Sequence, residues 1–270
     1  MVESLSLDLS TACCEVECDM DVEEYGRIAQ AEDAHWWYRA VRAVLSKAAE
    51  RRLEPKTGRF LDAGCGPGGN SNWVPGKFLV YGVDIAAEAV AYSAAKRPEM
   101  QVIRGSVTAL PFKEESFDGV QSITVVCHTA VSSVQIALAE YHRVLRPGGL
   151  LLLVEPAFRI FRRSHDRVVR AERRFRLREL CEAVEDAGFD IFAATYFFAC
   201  LAPAALALAL VDRASGGSGH KSDLERPSAL DPIFEKLAAV EIKLASRGLS
   251  GEGRSVIPFG TSALVVAIRK

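Results

Sequence analysis

The stretch Phe60-Leu61-Asp62-Ala63-Gly64-Cys65-Gly66-Pro67-Gly68-Gly69-Asn70 decides the fold: an apolar run that reads as a buried strand ends in four glycines. Without a Cβ, such a turn can take left-handed dihedrals and its backbone can lie directly against a ligand. Twenty residues after Gly64, a second apolar run ends in Asp84. An acid at that strand tip can accept both hydroxyls of a ribose. The two features point to one adenosine-containing ligand over the carboxyl edge of a sheet. They do not choose it, because Gly64, Gly66 and Gly69 also satisfy G-x-G-x-x-G and would suit a dinucleotide.

Outward from this elbow, strand and helix patterns alternate. Strands are expected over 59–65, 77–84, 100–105, 117–126 and 149–156, with helices over 86–96 and 132–145. Alternation of this kind predicts an α/β fold, a largely parallel sheet covered by helices on both faces. The run LLLLV (150–154) is apolar without interruption, as a central strand buried on both sides requires. Upstream, a helix is expected from about Ala29 to Arg52, after an acidic, loosely packed arm over 1–27. Downstream, an Arg-rich helix should reach Ala187, followed by a strand over FDIFAATYF, an insertion over 200–255 and a last strand, TSALVVAIRK. The insertion should hold an apolar helix, a GGSGHKSD loop and a helix from Pro232 to about Arg247.

The 270 residues carry a net charge of −2, which gives no global field to draw nucleic acid or an anionic membrane. Locally the balance is uneven: residues 1–33 hold ten acids against Arg27, and 159–178 hold nine arginines against Asp166 and Glu172. Seven cysteines, an odd number without paired C-x-x-C spacing, exclude a zinc pattern and read as reduced thiols in a cytoplasmic protein. Ile191–Val211 runs 21 residues without a charge, long enough to cross a bilayer. Its strand-like first half and Pro203 argue instead for a buried strand followed by an apolar helix.

The motifs L-D-A-G-C-G-P-G (61–68), V-D-I (83–85), G-S-V-T-A-L-P-F (105–112), S-F-D-G-V (116–120) and E-Y-H-R-V-L-R-P-G-G (140–149) occur in order. In these the chain resembles the class I S-adenosylmethionine-dependent methyltransferases that act on small molecules. The resemblance implies a Rossmann-like sheet of seven strands, the last antiparallel, in one domain over 28–270 with 200–255 as a substrate cap. It implies S-adenosyl-L-methionine as cofactor, with Asp62 and the backbone of Gly64, Cys65, Gly66 and Gly68 at the methionine portion. Asp84 would hold the ribose, Ile85 the adenine face, Ser106 and Val107 the adenine edge, and Thr124 the amino group. The family usually has an acid where this chain has Ser106, so adenine anchoring should be weaker by about 1 kcal/mol. The stretch Ala34–Arg39, with Tyr38, looks like the family's lead helix, which closes over the cofactor in many members.

For an acceptor that must lose a proton, His128 is the first candidate base, Glu155 the second and His35 the third. The arginine run can pair a carboxylate or phosphate, or simply form a solvated helix face. An apolar helix facing the cleft would imply a lipophilic or aromatic acceptor, consistent with specialised metabolism. Two alternatives stay open: a nicotinamide-dependent oxidoreductase, and a protein that binds the cofactor without catalysis.

Overall fold

Each side chain from Leu150 to Val154 is buried, yet alternate ones serve different cores: Leu151 and Leu153 face one layer, and Leu150, Leu152 and Val154 the other. A strand points successive side chains to opposite faces, so a sheet covered on both sides needs an unbroken apolar run. The computed structural model describes residues 20–53, 57–215, 231–249 and 257–270. Its seven strands are β1 (Gly58–Ala63), β2 (Phe78–Asp84), β3 (Gln101–Arg104), β4 (Phe117–Ile123), β5 (Leu145–Pro156), β6 (Phe189–Phe197) and β7 (Ser262–Arg269). They form one sheet in the order β3-β2-β1-β4-β5-β7-β6, with β7 antiparallel to both of its neighbours and the other pairs parallel. This is the mixed sheet the sequence led us to expect.

One face is covered by α4 (Val134–Val144) and α6 (Leu177–Asp186), through Leu138, Tyr141, Leu180 and Val184. The other is covered by α2 (Trp36–Leu53) and α8 (Asp231–Leu249), through Val41, Val44, Leu45, Ala238 and Ala245. Each large side chain buried this way contributes about 1.5–3 kcal/mol. A third helix, α3 (Ala87–Lys96), packs beside β2 and β3. Strand order reverses between β1 and β4, the place where an open α/β sheet leaves a crevice at its carboxyl edge.

Three expectations change. The N-terminal helix is two helices, because α1 (Val22–Ala31) precedes α2 and packs on α3. Asp21 caps it by accepting from the Glu23 amide at 3.1 Å, and Tyr25 is buried beneath it. Residues 22–27, expected in a loose arm, are therefore helical; residues 1–19, with Cys13, Cys14 and Cys18, lie outside the described residues. The Arg-rich segment is not one helix either. It forms a short α5 (Ser164–Val168), turns at Arg170 with φ +55°, and runs extended until α6 begins. Bridges from Ala171 to His128 and from Phe175 to Ala157 take the backbone that a helix would have used.

The uncharged run after Ile191 divides as expected into β6 and an apolar helix, α7 (Ala202–Ala214). Pro203 sits in its first turn, where the missing amide costs no helical hydrogen bond. Among the described residues, no helix is long and apolar enough to cross a membrane. The GGSGHKSD loop lies outside them.

Glu241 fastens α8 to the chain leaving β6: its carboxylate, 3% exposed, accepts the Ala199 amide at 2.7 Å and the Cys200 amide at 3.2 Å. Glu241→Ala leaves both donors without that acceptor and should lower the urea-unfolding free energy by about 2–4 kcal/mol, whereas Glu241→Gln should cost much less. Equal stability of the alanine variant and the wild type would contradict this.

Candidate active site

Gly64 leaves β1 with φ +79°, a conformation that disfavours any residue with a Cβ. Its amide and that of Cys65 both donate to the Val83 carbonyl, at 2.7 and 3.0 Å, so the elbow folds back over the end of β2. There Asp84 completes the turn: Oδ2 accepts the Gly66 amide at 2.8 Å and Oδ1 the Ala86 amide at 3.0 Å. Each oxygen keeps a second lone pair for a ligand hydroxyl. Burial pushes the Asp84 carboxyl up, opposed by the amides of Ala86, Gly66 and Ile85.

The elbow opens into a cavity of about 690 Å³, within the range of small-molecule sites. Of the expected cofactor residues, Tyr38, Gly64, Cys65, Gly66, Asp84, Ile85, Ser106, Val107 and Thr124 all line it. The Ser106 hydroxyl lies 2.7 Å from that of Thr108. The Cys65 thiol is buried and held well above its ordinary pKa by that burial, which fits a backbone role.

Three expected residues do not line the cavity. Asp62 is buried under the elbow, where it accepts from Ser71 Oγ at 2.6 Å, and Ser71 in turn accepts from Gln121 Nε2 at 3.2 Å. That burial raises its carboxyl to about 7. Asp62 therefore supports the elbow from below. Gly68 turns at φ +91° toward α3: its carbonyl accepts from Arg97, and a Cβ on it would meet Ser93 Oγ. Glu155 is fully buried, and its Oε1 accepts the amides of Val125 and Val126, both at 3.0 Å. It cannot reach an acceptor molecule as a base.

Instead Glu155 shapes the tip of β4. Thr124 sits at φ +53°, a left-handed conformation that costs a β-branched residue about 1–3 kcal/mol. Its amide donates to the Val154 carbonyl at 2.7 Å, while Glu155 takes the next two amides. Arg173 takes the carbonyls of the same loop, donating from Nη1 to Val126, His128 and Val131 at 3.1, 3.0 and 2.8 Å. One buried carboxylate and one guanidinium thus aim Thr124 and His128 into the cavity. The His128 ring lies against the Thr124 and Val169 carbonyls, yet burial outweighs them and lowers its pKa. His35 also lines the cavity.

Sequence reasoning missed the contribution of α1. Tyr25, Ile28 and Glu32 line the cavity, and Glu32, 1% exposed, is paired with Lys96 of α3 at 2.7 Å. The 25/28/32 spacing on one helical face was the available signal. Of the apolar helix α7 and the residue before it, Leu201, Ala204, Ala205 and Leu208 line the cavity beside Trp36 and Phe234. Arg163, His165, Arg170 and Arg174 line it as well, so part of the arginine run does face the cleft.

Residues 61–153 match the family described as "Methyltransferase domain". Over 211 residues the chain is 29% identical to a Mycolicibacterium smegmatis protein named "Probable S-adenosylmethionine-dependent methyltransferase", covering 77% of this chain and 78% of that one. It is 33% identical to a malonyl-[acyl-carrier protein] O-methyltransferase of Enterobacter lignolyticus over 42% of this chain, and that match spans 43% of the relative. The chain solved in complex with the Haloferax volcanii Trm112 methyltransferase activator shares the fold, with TM-score 0.60 and 19% identity over 93% of this chain and 99% of that one.

Burial raises the Glu155 carboxyl to about 7, from an ordinary value of 4.5. Between those values the native state holds a proton that the unfolded chain has released, so this group makes stability fall as pH rises. The slope is about 1.4 kcal/mol per pH unit. Glu155→Gln removes the titration, so unfolding free energies measured from about pH 5 to 7 should fall less steeply in the variant by that amount. Parallel wild-type and variant profiles would contradict it.

Proposed function

The chain belongs to the class I S-adenosylmethionine-dependent methyltransferases, and we propose that it methylates an oxygen, nitrogen or carbon of a small lipophilic or aromatic molecule. One observation carries this reading: a single cavity runs from the glycine elbow to an apolar wall built from Trp36, Leu201, Ala204, Ala205, Leu208 and Phe234. An acceptor lying on that wall presents its nucleophile to a cofactor lying on the elbow. Such a diffusible acceptor suits a cytoplasmic enzyme of specialised metabolism.

The residues present fit the cofactor. A Cβ built on Gly66 meets nothing within 4 Å, so the elbow offers bare backbone to the cavity. Asp84 would hold the ribose hydroxyls, Ile85 the adenine face, Ser106 and the Val107 backbone the adenine edge, and Gly64 and Thr124 the methionine portion, with Tyr38 above. When bound, the cofactor supplies a methyl group on a sulfonium sulfur that is already electrophilic. The tasks left to the chain are alignment and exclusion of water, which for well-oriented reactants lower a barrier by about 7–11 kcal/mol. The α1 and α2 residues Tyr25, Ile28 and Tyr38 line the same cavity and would help to exclude water from it. His128, held below its ordinary pKa by burial, is uncharged at neutral pH and can take a proton from a hydroxyl or ammonium acceptor.

Asp84→Ala should weaken S-adenosylhomocysteine binding by about tenfold or more in calorimetry, since charge-assisted hydrogen bonds to both ribose hydroxyls are lost. Unchanged affinity would count against the assignment, and a broad acceptor screen without any methylated product would favour binding without catalysis. For the acceptor that the screen returns, the acid limb of kcat/KM should lie below pH 6.5, the ordinary His128 value, and His128→Ala should lose most turnover. Near-full turnover in that variant would remove His128 as the base.

A further inference from the structure

Helix α7 turns apolar side chains to solvent. Pro203, Ala207, Leu210, Val211 and Ala214 recur at spacings of three and four, which puts them on one face, and all are exposed. Leu210 is 55% and Val211 66% exposed, and neither lines the cavity, so both face the outside of the molecule. A surface helix ordinarily buries its apolar stripe and gives its charged residues to water. The charged residues of α7 are instead engaged with the segment after β5. Asp212 accepts the Ser164 amide at 2.6 Å and the Ser164 hydroxyl at 2.8 Å, and Arg213 Nη2 donates to the Ile160 carbonyl at 2.6 Å. In α8, Ile233, Leu237 and Val240 form a second exposed apolar stripe that does not line the cavity.

The border of the α7 face is basic. Ile160, 52% exposed, adds an apolar side chain on the turn that Arg213 holds, and exposed Arg159 and Arg162 flank it. From Arg159 to Arg174 the chain has seven arginines against Asp166 and Glu172, and Asp212 and Arg213 cancel; with Asp231 of α8 counted as well, a surplus of four positive charges remains. Hydrogen bonds and ion pairs within this patch redistribute its charge but leave the sum unchanged, and a charged surface beyond it responds to that sum. The net charge of −2 conceals the patch because ten of the acids fall within residues 1–33.

We propose that the outward face of α7 docks on an anionic phospholipid bilayer, with Leu210, Val211 and Ile160 entering the interfacial region and Arg159 and Arg162 meeting the phosphate head groups. A helix face without a polar side chain, bordered by arginines, complements a surface with a hydrocarbon interior and negative head groups. A second copy of the chain fits less well, because two-fold pairing through this face would bring two basic borders together. The proposal goes beyond the methyltransferase reading and does not rest on it. It sets the cavity wall beside the bilayer, since Ala204 and Leu208 line the cavity from the face of α7 adjoining the outward one.

The test floats the full chain with vesicles of phosphatidylcholine alone and of equal parts phosphatidylcholine and phosphatidylglycerol. Binding to the anionic vesicles should be about tenfold or more tighter, and should weaken as salt is added. Leu210→Ser/Val211→Ser should lower that affinity by about tenfold or more, and Arg159→Gln/Arg162→Gln should remove most of the preference for phosphatidylglycerol. All four side chains are exposed and none lines the cavity, so both variants should keep the wild-type melting temperature and S-adenosylhomocysteine affinity. Absent binding to anionic vesicles, equal binding to both kinds, or anionic binding that survives in both variants would each overturn the proposal. A dimer in sedimentation velocity that Leu210→Ser/Val211→Ser breaks, without vesicle binding, would overturn it in favour of a second copy.

Discussion

The Asp84 carboxylate is the hinge of the site. It takes the Gly66 amide on one oxygen and the Ala86 amide on the other, so the loop leaving β1 and the turn leaving β2 hang on one buried anion. A buried carboxylate held only by neutral donors is costly, and its raised pKa records that cost. The arrangement is tolerable because backbone amides stabilise the charged form and because hydroxyl donors from a ligand would stabilise it further. The elbow is thus preorganised before a ligand arrives.

The same logic recurs at the tip of β4, with different residues. Thr124 is held in an unfavourable left-handed conformation, and the loop after it has lost regular pairing partners. Glu155 supplies acceptors for the orphaned amides and Arg173 supplies donors for the orphaned carbonyls. Both charged groups act on the cavity through the backbone they hold. The cleft's two rims, one from β2 and one from β4, are therefore fixed by buried side chains that stand behind the surface a ligand would touch.

Much of this was legible in the sequence, because it follows from local rules. The glycine elbow, the acid one strand later, the two-faced LLLLV strand and the division of the uncharged run at Pro203 each depend on spacing or backbone chemistry within a few residues. What escaped depends on direction in space. Asp62 is in the glycine motif, but its side chain points beneath the elbow to Ser71. Gly68 turns toward α3 and Glu155 toward the β4 amides, facts that no spacing reveals. The arginine run was expected to form one helix reaching Ala187. Its residues are instead distributed by tertiary demand: Arg173 to a loop, Arg174 to Asp166, Arg163 and Arg170 to the cavity. The first helix was hidden because its buried face is built from Tyr25, Glu24 and Glu32, two of them acids that composition alone assigns to solvent.

A crystal structure of the chain grown with S-adenosylhomocysteine tests the central claim most directly. The account expects both ribose hydroxyls within hydrogen-bonding distance of Asp84, the adenine against Ile85 and Val107, and the sulfur facing Thr124. Density for the ligand elsewhere, or an elbow left empty at saturating concentration, would contradict it.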